Sequence, residues 1–101
     1  MFARVSTFQG PPDRTADGIR VAREQILPAA RLQDGFVGIY LLFDRESGRS
    51  LSITLWETEE DMKASEDAAL RARTESAEAA GEIIVGVERY EVALQELNLK
   101  N

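Results

Sequence analysis

Cysteine and histidine are both missing from this chain of 101 residues. Without cysteine there is no disulfide framework and no thiolate nucleophile, which fits a reducing compartment. Without histidine a Ser-His-Asp triad, haem ligation by imidazole and the usual zinc sites are closed. No cofactor and no metal are therefore expected. Long apolar runs are also lacking: the longest, Phe36–Phe43, contains Gly38 and is far too short to span a bilayer. The start, MFARVSTF, has no charged stretch followed by an apolar core, so no secretory leader and a cytoplasmic location are expected. Positive charge is scarce, with 12 Lys and Arg against 18 Asp and Glu, a formal net charge of −6. The arginines are dispersed and form no basic stripe, which argues against nucleic acid as a partner. What remains is an apolar content ordinary for a globular protein and a length suited to a single domain, residues 1–101, with residues 95–101 as a frayed tail.

The stretch Ser50–Asp61, SLSITLWETEED, is the most informative. Leu51, Ile53 and Leu55 alternate with Ser52, Thr54 and Trp56, as in a strand with one apolar face and one small-polar face ending in tryptophan. Thr58 then stands as N-cap of a helix whose first turn is acidic, where the helix dipole favours negative charge.

Elsewhere, Phe2–Phe8 reads as a first strand, broken by Gly10-Pro11-Pro12. Asp13 or Thr15 is positioned to cap a helix reaching about Leu27. Its apolar stripe is Ala16, Ile19, Ala22, Ile26 and Ala30, with Val21 off the stripe and Pro28 marking an end or kink. Asp34-Gly35 is a turn before the strand Phe36–Asp44. Arg45–Gly48 connects that strand to Ser50–Glu57 as a hairpin. A second helix runs from Glu59 to about Ala80 and ends at Gly81, and Ile83–Leu94 forms the last strand, with Gly86 at a bulge.

The order β-α-β-β-α-β predicts a ferredoxin-like α+β fold, a four-stranded antiparallel sheet with both helices on one face. Yet the second strand carries large apolar residues on both sides: Phe36, Tyr40 and Leu42 on one, Val37, Ile39, Leu41 and Phe43 on the other. An uncovered face of that kind is a patch that monomers avoid, and stacking two sheets would cover it. A homodimer follows as an expectation.

In this pattern the chain resembles the dimeric α+β barrel superfamily, and within it the antibiotic biosynthesis monooxygenase-like proteins. The resemblance rests on Arg4-Val5, Leu27-Pro28-Ala29, Gly35–Gly38, Asp44-Arg45, Gly48, Trp56–Glu60 and Tyr90–Val92, spread over nearly the whole chain. Members include oxygenases and haem-degrading enzymes, so the resemblance specifies fold more sharply than activity. Haem-degrading members use an Asn in the first strand plus a Trp and a His in the second helical region. Here those helical positions fall at about Ser65 and Glu75, and the first strand has no Asn. Cofactor-free oxygenases of polycyclic aromatics place Asn and Trp four residues apart on the third strand. Trp56 matches, and Ser52 stands in place of the Asn. Four residues along a strand keep both on one face.

The candidate ligand-binding residues are therefore Trp56, Ser52, Thr54, Tyr40 and Arg4; no catalytic residue is assigned. Trp56 can stack on a planar ligand or fill the core. Ser52 and Thr54 can position a hydroxyl or simply suit a sheet face. Tyr40 faces either a pocket or a dimer interface. Arg4 binds an anion or pairs with a strand acid such as Glu88 or Glu91. Arg23 is expected to lay its stem past Leu27, Glu66 and Arg73 to form a solvated flank, and Glu57, Glu59, Glu60 and Asp61 to serve the helix dipole rather than a metal. Two functional readings stay open. One is a cofactor-independent monooxygenase of a small aromatic or quinone-like metabolite; the other is a non-catalytic ligand-sensing or interaction module.

Overall fold

The computed structural model describes residues 1–99. Its elements are β1 (Phe2–Gln9), α1 (Thr15–Val21), α2 (Leu27–Arg31), β2 (Phe36–Phe43), β3 (Arg49–Trp56), α3 (Glu59–Ala64), α4 (Glu66–Ala80) and β4 (Ile83–Glu91). The strands form one antiparallel sheet in the order β2-β3-β1-β4. This is the expected ferredoxin-like α+β architecture. Residues 92–99 of the tail carry no helix or strand, and Lys100 and Asn101 lie outside the described residues.

Strand alternation decides what meets the helices. The β1–β3 register pairs Phe2 with Trp56, Arg4 with Thr54, Ser6 with Ser52 and Phe8 with Ser50, and all of these turn toward the helices. Leu51 and Ile53, with Tyr40 and Leu42 beside them on β2, turn to the opposite face. Tyr40 and Leu42 are 43% and 47% exposed there. Phe36 departs from the expected side. The register shifts between Phe36 and Gly38, so the extra residue at Val37 turns Phe36 toward Trp56, which its ring meets edge-on at 5.8 Å. A second shift lies beside Gly86, where a bulge was expected.

The first helical region begins without a side-chain cap. A 3-10 turn, Pro12–Arg14, leads into α1, and the Thr15 hydroxyl donates to the Pro12 carbonyl instead of capping the helix. The helix also runs past Pro28. Proline lacks an N–H and its ring clashes with the carbonyl four residues back. Here the turn Ala22–Ile26 is π-helical, with the Leu27 N–H bonded to the Ala22 carbonyl, and the widened turn lets α2 continue to Arg31. Val21, read as lying off the stripe, is 2% exposed, because the buried face passes through Gly18, Val21 and Ala22 before the wide turn carries it to Ala30.

The second helical region is broken at Ser65, where expectation had one helix. The Ser65 hydroxyl donates to the Met62 carbonyl at 2.7 Å and so closes α3. Thr58 caps α3 as expected, accepting from the Asp61 N–H at 3.0 Å. Gly81 ends α4 at φ 69°. The face of α4 turned inward is made of Ala72, Arg73, Ser76, Ala77 and Ala80. Small side chains let the helix lie close to the sheet and leave little bulk to fill the space between them.

Candidate functional site

The unfilled space is a cavity of about 40 Å³ between sheet and helices. Its floor is Arg4, Ser6, Phe8, Ser52, Thr54 and Trp56 from β1 and β3. Its roof comes from the π turn and α2 (Ile26, Ala29, Ala30) and from Ser65 and α4 (Ala68, Ala69, Ala72, Arg73). Four of the five residues expected at a ligand site, Arg4, Ser52, Thr54 and Trp56, are thus brought together. Tyr40 is not among them. It opposes Ile53 on the other face of the sheet, the side shared by Leu42 opposite Leu51.

Trp56 is 1% exposed and its polar edge is already used: the indole N–H donates to the Thr54 hydroxyl at 3.0 Å. Arg4 lies over the ring, 5.4 Å from its centre. The same guanidinium donates through Nη2 to the Met62 carbonyl at 2.6 Å and to the Ser65 hydroxyl at 2.8 Å. Its Nε donates to Glu66 at 3.2 Å. Arg4 therefore ties β1 to the α3–α4 junction, and the acid it pairs with is Glu66, not Glu88 or Glu91.

Glu66 also takes a two-pronged bond from Arg89, both contacts at 2.7 Å. Arg89 stands directly opposite Arg4 in the β1–β4 ladder, so one carboxylate answers two facing guanidinium groups. The Arg89 bonds, joined by those from Arg4 and opposed by burial, hold the Glu66 carboxyl down to about 2.

Arg73 is the residue sequence reasoning misplaced. Expected on a solvated flank, it is 7% exposed and lines the cavity. Its Nε donates to the Ser6 hydroxyl at 3.3 Å, while Nη2 is buried with no hydrogen-bond partner. Burial, with Arg4 nearby, lowers its pKa; Glu66 works against that shift. The available signal was its place in the Ala72–Ala80 stripe, where an arginine among small buried residues has nowhere else to go.

The two arginines are the only ionisable side chains lining the cavity among the described residues. The walls can bind and polarise an anion, and they offer no carboxylate or phenol to move a proton. The acidic group at Glu57–Asp61 surrounds the cap of α3, and among the described residues no set of three or more acidic side chains converges as a metal site. A second, open groove of about 440 Å³ runs between the first helical region and edge strand β2. Arg23, exposed, and Leu27 both border it.

Sheet order and helix placement define a ferredoxin-like α+β fold, with an enclosed cavity between sheet and helices. The chain has the fold of the antibiotic biosynthesis monooxygenase-like proteins. It is similar to a provisionally assigned antibiotic biosynthesis monooxygenase from Deinococcus radiodurans, with TM-score 0.70, 17% identity and 100% of both chains covered. It is also similar to SnoaB, a cofactor-independent oxygenase from Streptomyces nogalater, with TM-score 0.69, 19% identity, and 93% of this chain and 94% of that one covered. No family model matches the sequence. In sequence it is 37% identical over 93 residues to the uncharacterized protein Rv2557 of Mycobacterium tuberculosis, covering 92% of this chain. The chain spans about 41% of that relative's length. Among the described residues no helix is long and apolar enough to cross a membrane.

Proposed function

We propose that this chain is a cytoplasmic, small-molecule-binding homodimer that acts as a cofactor-independent monooxygenase on a small aromatic or quinone-like metabolite. The observation that carries the reading is the cavity itself: Trp56, Ser52 and Thr54 on one wall, arginines on two sides, and no proton-transferring group within. A site of this kind favours a substrate that ionises readily and donates its own electrons to dioxygen, with the Arg73 guanidinium stabilising the anion. One oxygen atom enters the substrate at a ring carbon and the other leaves as water with two of the substrate's hydrogens, so that a hydroquinone becomes a hydroxyquinone. SnoaB, similar in fold, is a cofactor-independent oxygenase, which supports the reading without fixing the substrate. The enclosed volume sets a limit, since a cavity that admits benzene is on the order of 150 Å³. A bicyclic ligand would have to part α4 from the π turn.

Dimerisation is supported by the outer sheet face, where Tyr40, Leu42 and Tyr90 are exposed beside Leu51 and Ile53. Light scattering at micromolar concentration should give twice the chain mass; a monomer would sink this part. For the activity, the protein is incubated in air with a panel of hydroquinones and naphthohydroquinones. Oxygen uptake and an oxygenated product, both lost in Trp56→Ala, are expected. Saturable binding without oxygen uptake would favour a ligand-sensing module, the second reading, which the absence of a general base in the cavity also suits.

A further inference from the structure

The charge balance around the cavity is incomplete. Arg4 and Arg89 share Glu66, and that carboxylate is saturated by their five contacts. Arg73 makes no ion pair within 4.0 Å among the described residues, although it is nine-tenths buried and its guanidinium cannot shed its proton. A buried ion without a counter-ion is strongly unfavourable, and removing it is often stabilising. The Ser6 hydroxyl answers one N–H but no charge. Arg73 lines the cavity and its Nη2 is a buried donor with no partner, so the missing counter-ion has a place beside this side chain.

We propose that Arg73 anchors the carboxylate of a small organic acid in this cavity, with the acid's apolar body lying against Phe8, Ala69 and Ala72. This rests on the reading of the cavity as the ligand site. The volume, about 40 Å³, holds roughly three waters or one such head group. The chemistry of the walls selects the class. A carboxylate needs donors on two oxygens, for which the lining offers the Arg73 guanidinium and the hydroxyls of Ser6 and Ser52. Phosphate or sulfate would present four oxygens, two of them to alanine and phenylalanine. Arg73 thereby binds ligand, while Arg4, fully engaged with Glu66, Met62 and Ser65, holds the wall in shape.

The test uses the full chain in chloride-free buffer at fixed ionic strength, titrated with sodium acetate, sodium benzoate, sodium sulfate and neutral 1,4-naphthoquinone. Trp56, the single tryptophan, reports by fluorescence, and calorimetry confirms each affinity. Acetate should saturate and sulfate should not, while benzoate, larger than the enclosed volume, should bind more weakly than acetate. Arg73→Met should weaken carboxylate binding by roughly ten-fold or more, the loss of a charge-assisted bond. In ligand-free buffer its melting temperature should hold or rise, which a purely structural arginine would not allow. Arg73→Lys keeps the charge on a shorter reach and should bind with intermediate affinity, which covers the case of an unfolded Arg73→Met. Unchanged carboxylate affinity in either variant overturns the proposal, as does sulfate binding as tightly as acetate. Naphthoquinone binding alike to wild type and Arg73→Met, with no carboxylate bound, would overturn the anchor and leave the ligand cavity standing. No binding by any probe would remove both.

Discussion

The Arg4 guanidinium carbon lies 5.4 Å from the centre of the Trp56 ring, so the tryptophan is a platform for an arginine before it is a platform for any ligand. With its N–H on Thr54 and Phe36 at its edge, Trp56 fixes where Arg4 sits and hence where β1 meets the α3–α4 junction.

Truncating that platform should be costly. Trp56→Ala removes a side chain that is 1% exposed, for which about 3–5 kcal/mol of destabilisation is expected. Chemical denaturation should show it as a lower midpoint at unchanged slope. If the loss is under about 1 kcal/mol, the ring is not the structural support described here.

Glu66 should leave a mark on the acid limb of stability. Its folded-state pKa, held at about 2 first by the Arg89 bonds, is below its ordinary value of 4.5. Its contribution is therefore complete above the unfolded value and is lost as pH falls from about 5 through 2. Because Arg89 is half open to solvent, screening limits the contribution to about 1–2 kcal/mol at neutral pH. Glu66→Gln should flatten the unfolding free energy between pH 5 and 2; a variant with the wild-type slope would count against the shared ion pair.

The cap on α3 is a local test. Thr58→Ala removes the acceptor for the Asp61 N–H and should cost about 1 kcal/mol. Thr58→Ser should recover most of it. Equal melting temperatures for Thr58→Ala and wild type would show the cap to be idle.

The outer face makes a different demand. Ile53→Lys places a charge among Tyr40, Leu42 and Leu51, residues that the proposed second copy would cover. Light scattering should report dissociation to monomers while circular dichroism keeps its shape. A dimer of unchanged mass and affinity would move the interface elsewhere.

Much of this was readable from residue order. Alternation in Ser50–Trp56 placed both sheet faces correctly, and Thr58 and Gly81 marked their helix ends because each acts through its own backbone neighbours. The misreadings share one cause. Phe36, Val21 and Ser65 each lie at or beside an irregularity (a bulge, a π turn, a helix break) that shifts the period on which face assignment depends. Arg73 and the Glu66 pair needed tertiary contacts, since nothing in sequence spacing says that Arg4 and Arg89 will stand side by side. Of the site, its strand wall was legible and its charged roof was not.

The wide turn at Ala22–Ile26 has a consequence for how this molecule tolerates insertion and deletion. Each residue advances an α-helix by about 100°, so removing one from the turn would re-phase α1 against α2. Gly18 and Val21 would swing off the sheet while Ala30 stayed under it. The segment just ahead of Pro28 thus acts as a vernier, setting by a single residue which side chains close the cavity from above.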